Sequence, residues 1–311
     1  MSTASSDPPP HHPAPRIDLR RGTLWMLLSL GCFTANSLLI KHLSSDRHID
    51  PWLTMSFRCG IGLLMIAIMF GPSGALNVRR SFLSWLLASR GVLGALGTAA
   101  YYTSVGPLGA GKATLIGNTW CVWAAIMAAF VLHERLGLMK VLGIVIAIVG
   151  LGLLTDISPE SLAQDGKWVA VALAGAILAA LVVVVIRQLT KTETTATIFA
   201  SQCMYGLLLA LPFASRHVIH LTGIDVTLLL VAAMCAGVGQ IGMTEGFRYL
   251  TVAAGGAFQI TLPLFISTGG VLFFGEHFSL VQALGGALIL AGSFQTVAGI
   301  RWRRASVATG N

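Results

Sequence analysis

The chain has 311 residues, 55% of them apolar and only 10% charged, with a formal net charge of +8. Soluble domains carry roughly 25% charged residues, so a chain with a mean hydropathy of +0.79 cannot cover a water-facing surface and a soluble fold is excluded. A nucleic-acid partner is excluded as well, because the basic residues stand singly or in pairs between apolar runs, the pattern of loop charges that orients a membrane protein.

Met1 to Arg16 are rich in Pro, Ser and His and contain no apolar core, so they read as a disordered tail rather than a cleaved signal peptide. His11 and His12 within that tail are not read as a metal site. Ten apolar runs follow, each near the roughly 20 residues that a spanning helix needs. They are Thr23–Leu43, Trp52–Gly71, Phe82–Val105, Lys112–Leu132, Leu138–Leu154, Trp168–Arg187, Ala196–Ala214, Val226–Phe247, Val252–Phe274 and Leu280–Ile300. Most connections are short and marked by Gly or Pro. The longest polar one, Asp156–Lys167, divides the chain in half. The fold expected is an all-α integral membrane protein of ten transmembrane helices. Cys32, Cys59, Cys121, Cys203 and Cys235 each fall inside an apolar run with no CxxC pair, so they read as small apolar residues.

The charges predict an orientation. With a cytoplasmic N-terminus, the inner loops hold Arg16, Arg20, Arg21, Arg79, Arg80, Arg135, Lys140, Arg187, Lys191, Arg248, Arg301, Arg303 and Arg304. The outer loops hold only Lys41, Arg47, Lys112, Lys167 and Arg216. That bias places both termini in the cytoplasm and requires an even number of spans.

The two halves repeat. A shift of 142 positions lays Leu108 on Leu250, Thr119 on Thr261, Glu134 on Glu276, Leu138 on Leu280, Leu142 on Leu284, Gly143 on Gly285 and Gly150 on Gly292 without a gap. Five spans is an odd number, so the second copy enters the membrane upside down. Inverted repeats are the architecture of many secondary transporters, with the substrate held near the midplane between the copies.

The segments HERLGLMKVLGIVIAIVGLGLL and GEHFSLVQALGGALILAGSF resemble the end of the EamA repeat of the drug/metabolite transporter superfamily, and SRGVLGALGTAAYYTSVGPLGAGKATLI resembles its third and fourth spans. The resemblance covers roughly residues 23–300. It implies a carrier in the inner membrane that exports or exchanges amino acids and related small metabolites, with no cofactor. The implied organisation is a cytoplasmic tail (1–22), a first repeat (23–155), a linker (156–167), a second repeat (168–300) and a basic tail (301–311). A homodimer is compatible with it. One departure is that Trp120-Cys121 stands where the second copy has Leu262-Pro263, which predicts a straighter fourth span in the first copy.

Polar groups are costly in a bilayer, so those inside spans mark candidate sites. Arg58 and Arg90 lie within spans two and three, and the first five spans contain no carboxylate to pair with them. They are candidates for holding a carboxylate-bearing or other anionic substrate. The competing reading is snorkelling, since each lies within about 9–12 Å of a helix end. Asn36, Asn118, Gln202, Gln240, Gln259 and Thr261, with the aromatic Tyr101, Tyr102 and Trp120, make up the rest of the candidate substrate-binding set. Each also fits as hydrogen-bonding glue between helices. Glu245 is the one acid inside a span and the candidate for holding a substrate amine or for proton coupling; a helix-end pair with Arg248 is the alternative. Glu134 and Glu276 read as helix caps, and Lys41 and Lys112 as snorkelling ends. Pro263 predicts a kink in span nine, and the glycines of spans three and eight predict close helix approaches.

Enzyme motifs fail. Gly71-Pro72-Ser73-Gly74 contains a proline at a span end, His133-Glu134 lacks the second His of a zinc site, and no phosphate loop is present. A non-transporting sensor or assembly subunit is the alternative function, and an oligomeric channel a third.

Overall fold

The computed structural model describes residues 18–72, 80, 82, 84–132, 138–155, 159–189, 192–214, 221–250 and 252–308. The described residues form eleven helices and no strand. These are α1 (Leu19–Ser45), α2 (Pro51–Phe70), α3 (Trp85–Leu108), α4 (Ala110–Gly117), α5 (Trp120–Leu132), α6 (Leu138–Thr155), α7 (Pro159–Leu189), α8 (Thr195–Ala214), α9 (Gly223–Tyr249), α10 (Val252–Phe274) and α11 (Leu280–Ala308). The expected tail residues 1–17 lie outside the described residues, as do Glu134 and Arg135. Helix α7 begins inside the segment expected to be a linker, and α11 runs on into the basic tail.

The starts follow local chemistry. Asp50 caps α2 by accepting from Trp52 N at 2.8 Å, with Pro51 in the first turn where its missing N–H costs nothing. Thr222 and Asp225 form a capping box on α9, and Ser279 accepts from Gln282 N at 3.2 Å to open α11. Five stretches are long and apolar enough to cross a bilayer: Leu19–Ser45, Pro51–Phe70, Ala163–Ile186, Ala196–Ala214 and Gly223–Met243. Val141–Thr155, Phe258–Phe274 and Leu280–Gln295 are shorter apolar helices. Large apolar side chains such as Leu64, Ile68, Leu264, Leu272, Phe273 and Leu284 point outward. Only a lipid-facing surface tolerates so much exposed hydrocarbon.

The fourth span departs from expectation. It breaks at Asn118-Thr119 into α4 and α5, whereas α10 continues through Pro263 as one helix. The break is local competition for carbonyls. Thr119 N and Thr119 Oγ1 both turn back onto Ile116 O, at 3.1 and 2.7 Å, and Cys121 Sγ takes Asn118 O at 3.2 Å. Short hydroxyl and thiol side chains thus replace the regular ladder.

The packing exchanges the two halves. Helix α1 packs on α9 as α3 packs on α7; α2 meets α9 as α8 meets α3; α1 meets α10 as α7 meets α5. The pairs α2 with α8 and α6 with α11 map onto themselves. Atomic contacts obey the same exchange. A Cβ on Gly150 would lie 2.7 Å from Gly285 O, and one on Gly292 would lie 2.5 Å from Gly143 O. Those are one contact seen from either copy, since Gly143 is equivalent to Gly285 and Gly150 to Gly292. The higher number in one helix meets the lower in the other, so α6 and α11 cross antiparallel. Likewise a Cβ on Gly97 would lie 3.6 Å from Gly175 O, and one on Gly239 3.0 Å from Phe33 Cδ1. Phe33 and Gly175 are again 142 positions apart.

Ion pairs repeat at the two ends with their signs reversed. Arg47, between α1 and α2, holds Asp225 at the start of α9 at 2.7 Å. Glu193, between α7 and α8, holds Arg80 ahead of α3 at 3.0 Å. The carboxylate beside it keeps the Arg47 guanidinium above its ordinary value. Lys41 does not snorkel as expected: its Nζ donates to Gly106 O at 2.6 Å. That carbonyl is free because Ala110 N, its helical partner, is turned to Glu276 Oε1 at 2.6 Å.

Candidate functional site

Helices α2 and α8 cross at the centre on two small residues each. A Cβ on Gly62 would sit 2.9 Å from Cys203 Sγ, and one on Gly206 2.6 Å from Cys59 Sγ. Cys59-x-x-Gly62 and Cys203-x-x-Gly206 are the same motif at a shift of 144. The two thiols flank this crossing, each set against the glycine of the other helix. The same shift equates Met55 with Phe199 and Arg58 with Gln202. All six residues line one cavity, closed on its third side by Thr98 of α3. The free space is about 10 Å³, room for a single water.

Two guanidiniums reach this centre. Arg58 Nη1 donates to Tyr102 Oη at 3.0 Å, with its carbon 5.9 Å from the Tyr102 ring centroid. Arg90 is only 8% exposed, and its Nη2 donates to Gln202 Oε1 at 2.8 Å. Its Nε and Nη1 are buried and without a partner. Neither arginine therefore reaches an interface by snorkelling; both turn inward. Gly94, one turn along α3, leaves the space that the Arg90 guanidinium occupies: an added Cβ would run into Nη1 and come within 3.3 Å of Gln202. Gly94→Ala is expected to leave the protein folded while displacing Arg90, since Ala is the better helix former. Misplacing a binding group by about 1 Å costs up to roughly 100-fold. Solute flux in proteoliposomes, read beside the thermal midpoint, separates the two effects.

The remaining candidates divide. Tyr101 Oη bridges Ser37 Oγ of α1 and Thr114 Oγ1 of α4, both at 2.9 Å, and its ring lies 6.0 Å from that of Tyr102. It is a strut beside the centre. Asn36 is buried on α1 next to Ser37, and Asn118 sits at the break of the fourth span with its Nδ2 buried and unpartnered. Trp120 packs elsewhere, against Cys121, Val122, Ile144 and Ala147. Gln259 Nε2 makes only a 4.0 Å contact to Met26 Sδ, and Thr261 bonds back to Phe258 O at 2.7 Å. Thr261 lines a separate groove of about 740 Å³ between α1 and α10, walled by Leu27, Leu30, Phe265 and Leu272 and suited to lipid chains. Gln240 and Glu245 are partly buried on α9, where Gly242 and Gly246 press on α1. The cysteines and Phe199 joined the site unexpectedly. Their signal was present as the CxxG pair at a shift two residues away from the one that aligns the repeat ends.

The EamA-like transporter family model matches residues 20–155 and again 166–298. The pseudopaline exporter CntI of Pseudomonas aeruginosa, found in two strains, is 25% identical over 273 residues, spanning 88% of this chain and 94% of that protein. A solved crystal structure matches with a TM-score of 0.62 at 18% identity, over 88% of this chain and 96% of its own, which shows a shared fold. With the family model matched once in each half, around a centre built by exchanging equivalent residues of the two halves, the chain belongs to the EamA-like transporter family of the drug/metabolite transporter superfamily and is a multi-pass membrane transporter.

Proposed function

We propose that the chain is a secondary transporter that exports a small organic metabolite across the inner membrane by alternating access. Ten spans would form two inverted repeats, with both termini in the cytoplasm as the loop charges favour. The observation that carries this reading is the placement of the buried polar groups. Arg58, Arg90, Tyr102 and Gln202 gather at the crossing of α2 and α8, where equivalent residues of the two repeats meet. A carrier binds its cargo at such a midplane site and rocks one set of helices against the other. The export activity of CntI supports the direction. The test compares metabolites inside and outside cells that overproduce the protein with those of cells carrying an empty control. Faster loss of one class of solute supports the carrier reading; no shift in any solute across a broad panel, with and without a pH gradient, overturns it.

Glu245 is the proposed coupling group. It sits near the end of α9 where the helix packs on α1, and acids within transporter helices mark coupling paths. Glu245→Gln is expected to abolish stimulation of flux by a pH gradient while leaving solute exchange at equal pH nearly unchanged. A variant with the wild-type pH profile would remove Glu245 from the coupling step.

A further inference from the structure

The centre holds two cations and no acid among the described residues. Helices α2 and α9 both begin at the Arg47–Asp225 end, and Met65 packs against Gly237. Glu245 therefore stands about 20 Å along the bundle from Arg58, at 1.5 Å per residue. Two guanidiniums held only by neutral partners are costly in a bilayer core, and such charges mark a path for a counter-charged solute.

Their arrangement says what that partner is. Arg58 precedes Cys59 on α2. Gln202, which holds Arg90, precedes Cys203 on α8. The two helices cross antiparallel at the cysteines, so Arg58 and the Gln202 that holds Arg90 stand on opposite sides of the crossing. One carboxylate neutralises one guanidinium and leaves the other bare. At the Arg90 end the acceptor position is already marked, because Gln202 Oε1 occupies it at 2.8 Å while Nε and Nη1 have no partner. Exchanging that neutral amide oxygen for a charged carboxylate gives a shorter and stronger bond.

We propose that this centre binds an organic dianion bearing two carboxylates, one on Arg58 and the other on Arg90 in place of the Gln202 amide. The proposal rests on the carrier reading and names its class of cargo. Gln202 is then an internal stand-in for the substrate. It satisfies part of Arg90 when no dianion is bound and swings away when one enters, since the cavity of about 10 Å³ has to widen to take it. The repeat explains the asymmetry: the first copy contributes the charge at position 58 and the second contributes the neutral acceptor at the equivalent position 202. Diamines are rejected because nothing at the centre accepts an ammonium group as a counter-ion.

The test uses the full-length protein in lipid nanodiscs with succinate, glutarate and adipate as probes, valerate as the monocarboxylate and cadaverine as the diamine. Apparent affinity is read from thermal stabilisation and from protection of Cys59 and Cys203 against a maleimide. At least one dicarboxylate is expected to bind 10-fold or more tightly than valerate, and cadaverine not at all. Arg58→Gln and Arg90→Gln are each expected to weaken the dicarboxylate by about 10- to 100-fold, to the level of valerate. Gln202→Ala removes the internal competitor and is expected to tighten binding several-fold, a gain that misfolding cannot mimic. Equal binding of dicarboxylate and valerate, stabilisation by cadaverine, or a Gln202→Ala variant that binds no better than wild type overturns the proposal. Flux in proteoliposomes separates the two readings. If neutral or cationic solutes are carried and no dicarboxylate binds, the carrier reading stands and this proposal falls. If a dicarboxylate binds with the stated Arg dependence but nothing crosses, the site stands and the carrier reading falls.

Discussion

Gly285→Leu is expected to lower the thermal midpoint by about 6–12 °C and to reduce the yield of folded protein sharply. The Cβ it adds would lie 2.5 Å from Leu154 N, 2.7 Å from Gly150 O and 3.0 Å from Leu153 C. All three are backbone atoms of α6, so no side chain can rotate out of the way. Overpacking costs about 1–3 kcal/mol where neighbours yield; here the helices must separate, which puts the cost at about 3 kcal/mol or more. At 2–4 °C per kcal/mol for a chain of this size the stated shift follows. The repeat makes a second statement: Gly143→Leu, the equivalent change in the first copy, is expected to cost about as much. Gly31 and Gly60 are the controls, because a Cβ on either meets nothing within 4 Å. Ala at those positions is expected to be neutral or mildly stabilising, by up to about 1 kcal/mol, as for any helical glycine freed of packing duty. If Gly285→Leu shifted the midpoint no more than Gly31→Ala, α6 and α11 would not be in backbone contact.

The contrast between these glycines shows how the chain can be read. The sequence shows which residues recur at 142 positions, and Gly150 and Gly292 were visible that way. It does not show that Gly150 would touch Gly285 rather than Gly292, because that follows from the antiparallel crossing of helices far apart along the chain. Arg58 and Arg90 stood out from sequence because charge in an apolar run is costly wherever it points. Their inward turn depended on Tyr102 and Gln202, partners supplied by other helices. Cys59 and Cys203 were the reverse case. A thiol in an apolar run carries no penalty and so no signal, and only the alignment of CxxG with CxxG places them at the crossing. The polar candidates on α10 show a related effect. Thr261 donates its hydroxyl to a carbonyl of its own helix, a local partner that the sequence pattern does not register. The fourth span broke where no proline marks it, because Thr119 and Cys121 offer the backbone alternative partners that periodicity does not register.

Glu276→Ala is expected to destabilise the protein by about 1.5–3 kcal/mol, the range for losing hydrogen bonds to a charged group. The acidic turn was expected to cap the helix that follows it. Instead Ser279 opens that helix, and the Glu276 carboxylate reaches across to the other repeat. It accepts from Ala110 N at 2.6 Å and Gly111 N at 3.1 Å, at the start of α4. A carboxylate belongs at a helix N-terminus because the first N–H groups lack partners and the dipole favours negative charge. Three glycines make the space. Gly109 turns the chain with φ +86°, where a side chain would be strained, and a Cβ there would lie 2.6 Å from Oε1. Cβ atoms on Gly111 and Gly270 would crowd the same carboxylate. Glu276→Gln keeps one acceptor and is expected to lose about half as much, while Glu276→Asp falls short of both N–H groups and is expected to resemble Ala. The 142-residue shift equates Glu276 with Glu134. If the clamp repeats as the sequence does, Glu134→Ala is expected to cost a similar amount and the two losses to add. Thermal midpoints of the two single variants and the double variant decide it. A silent Glu134→Ala beside a damaging Glu276→Ala would mean that only the second repeat reaches across to hold the first.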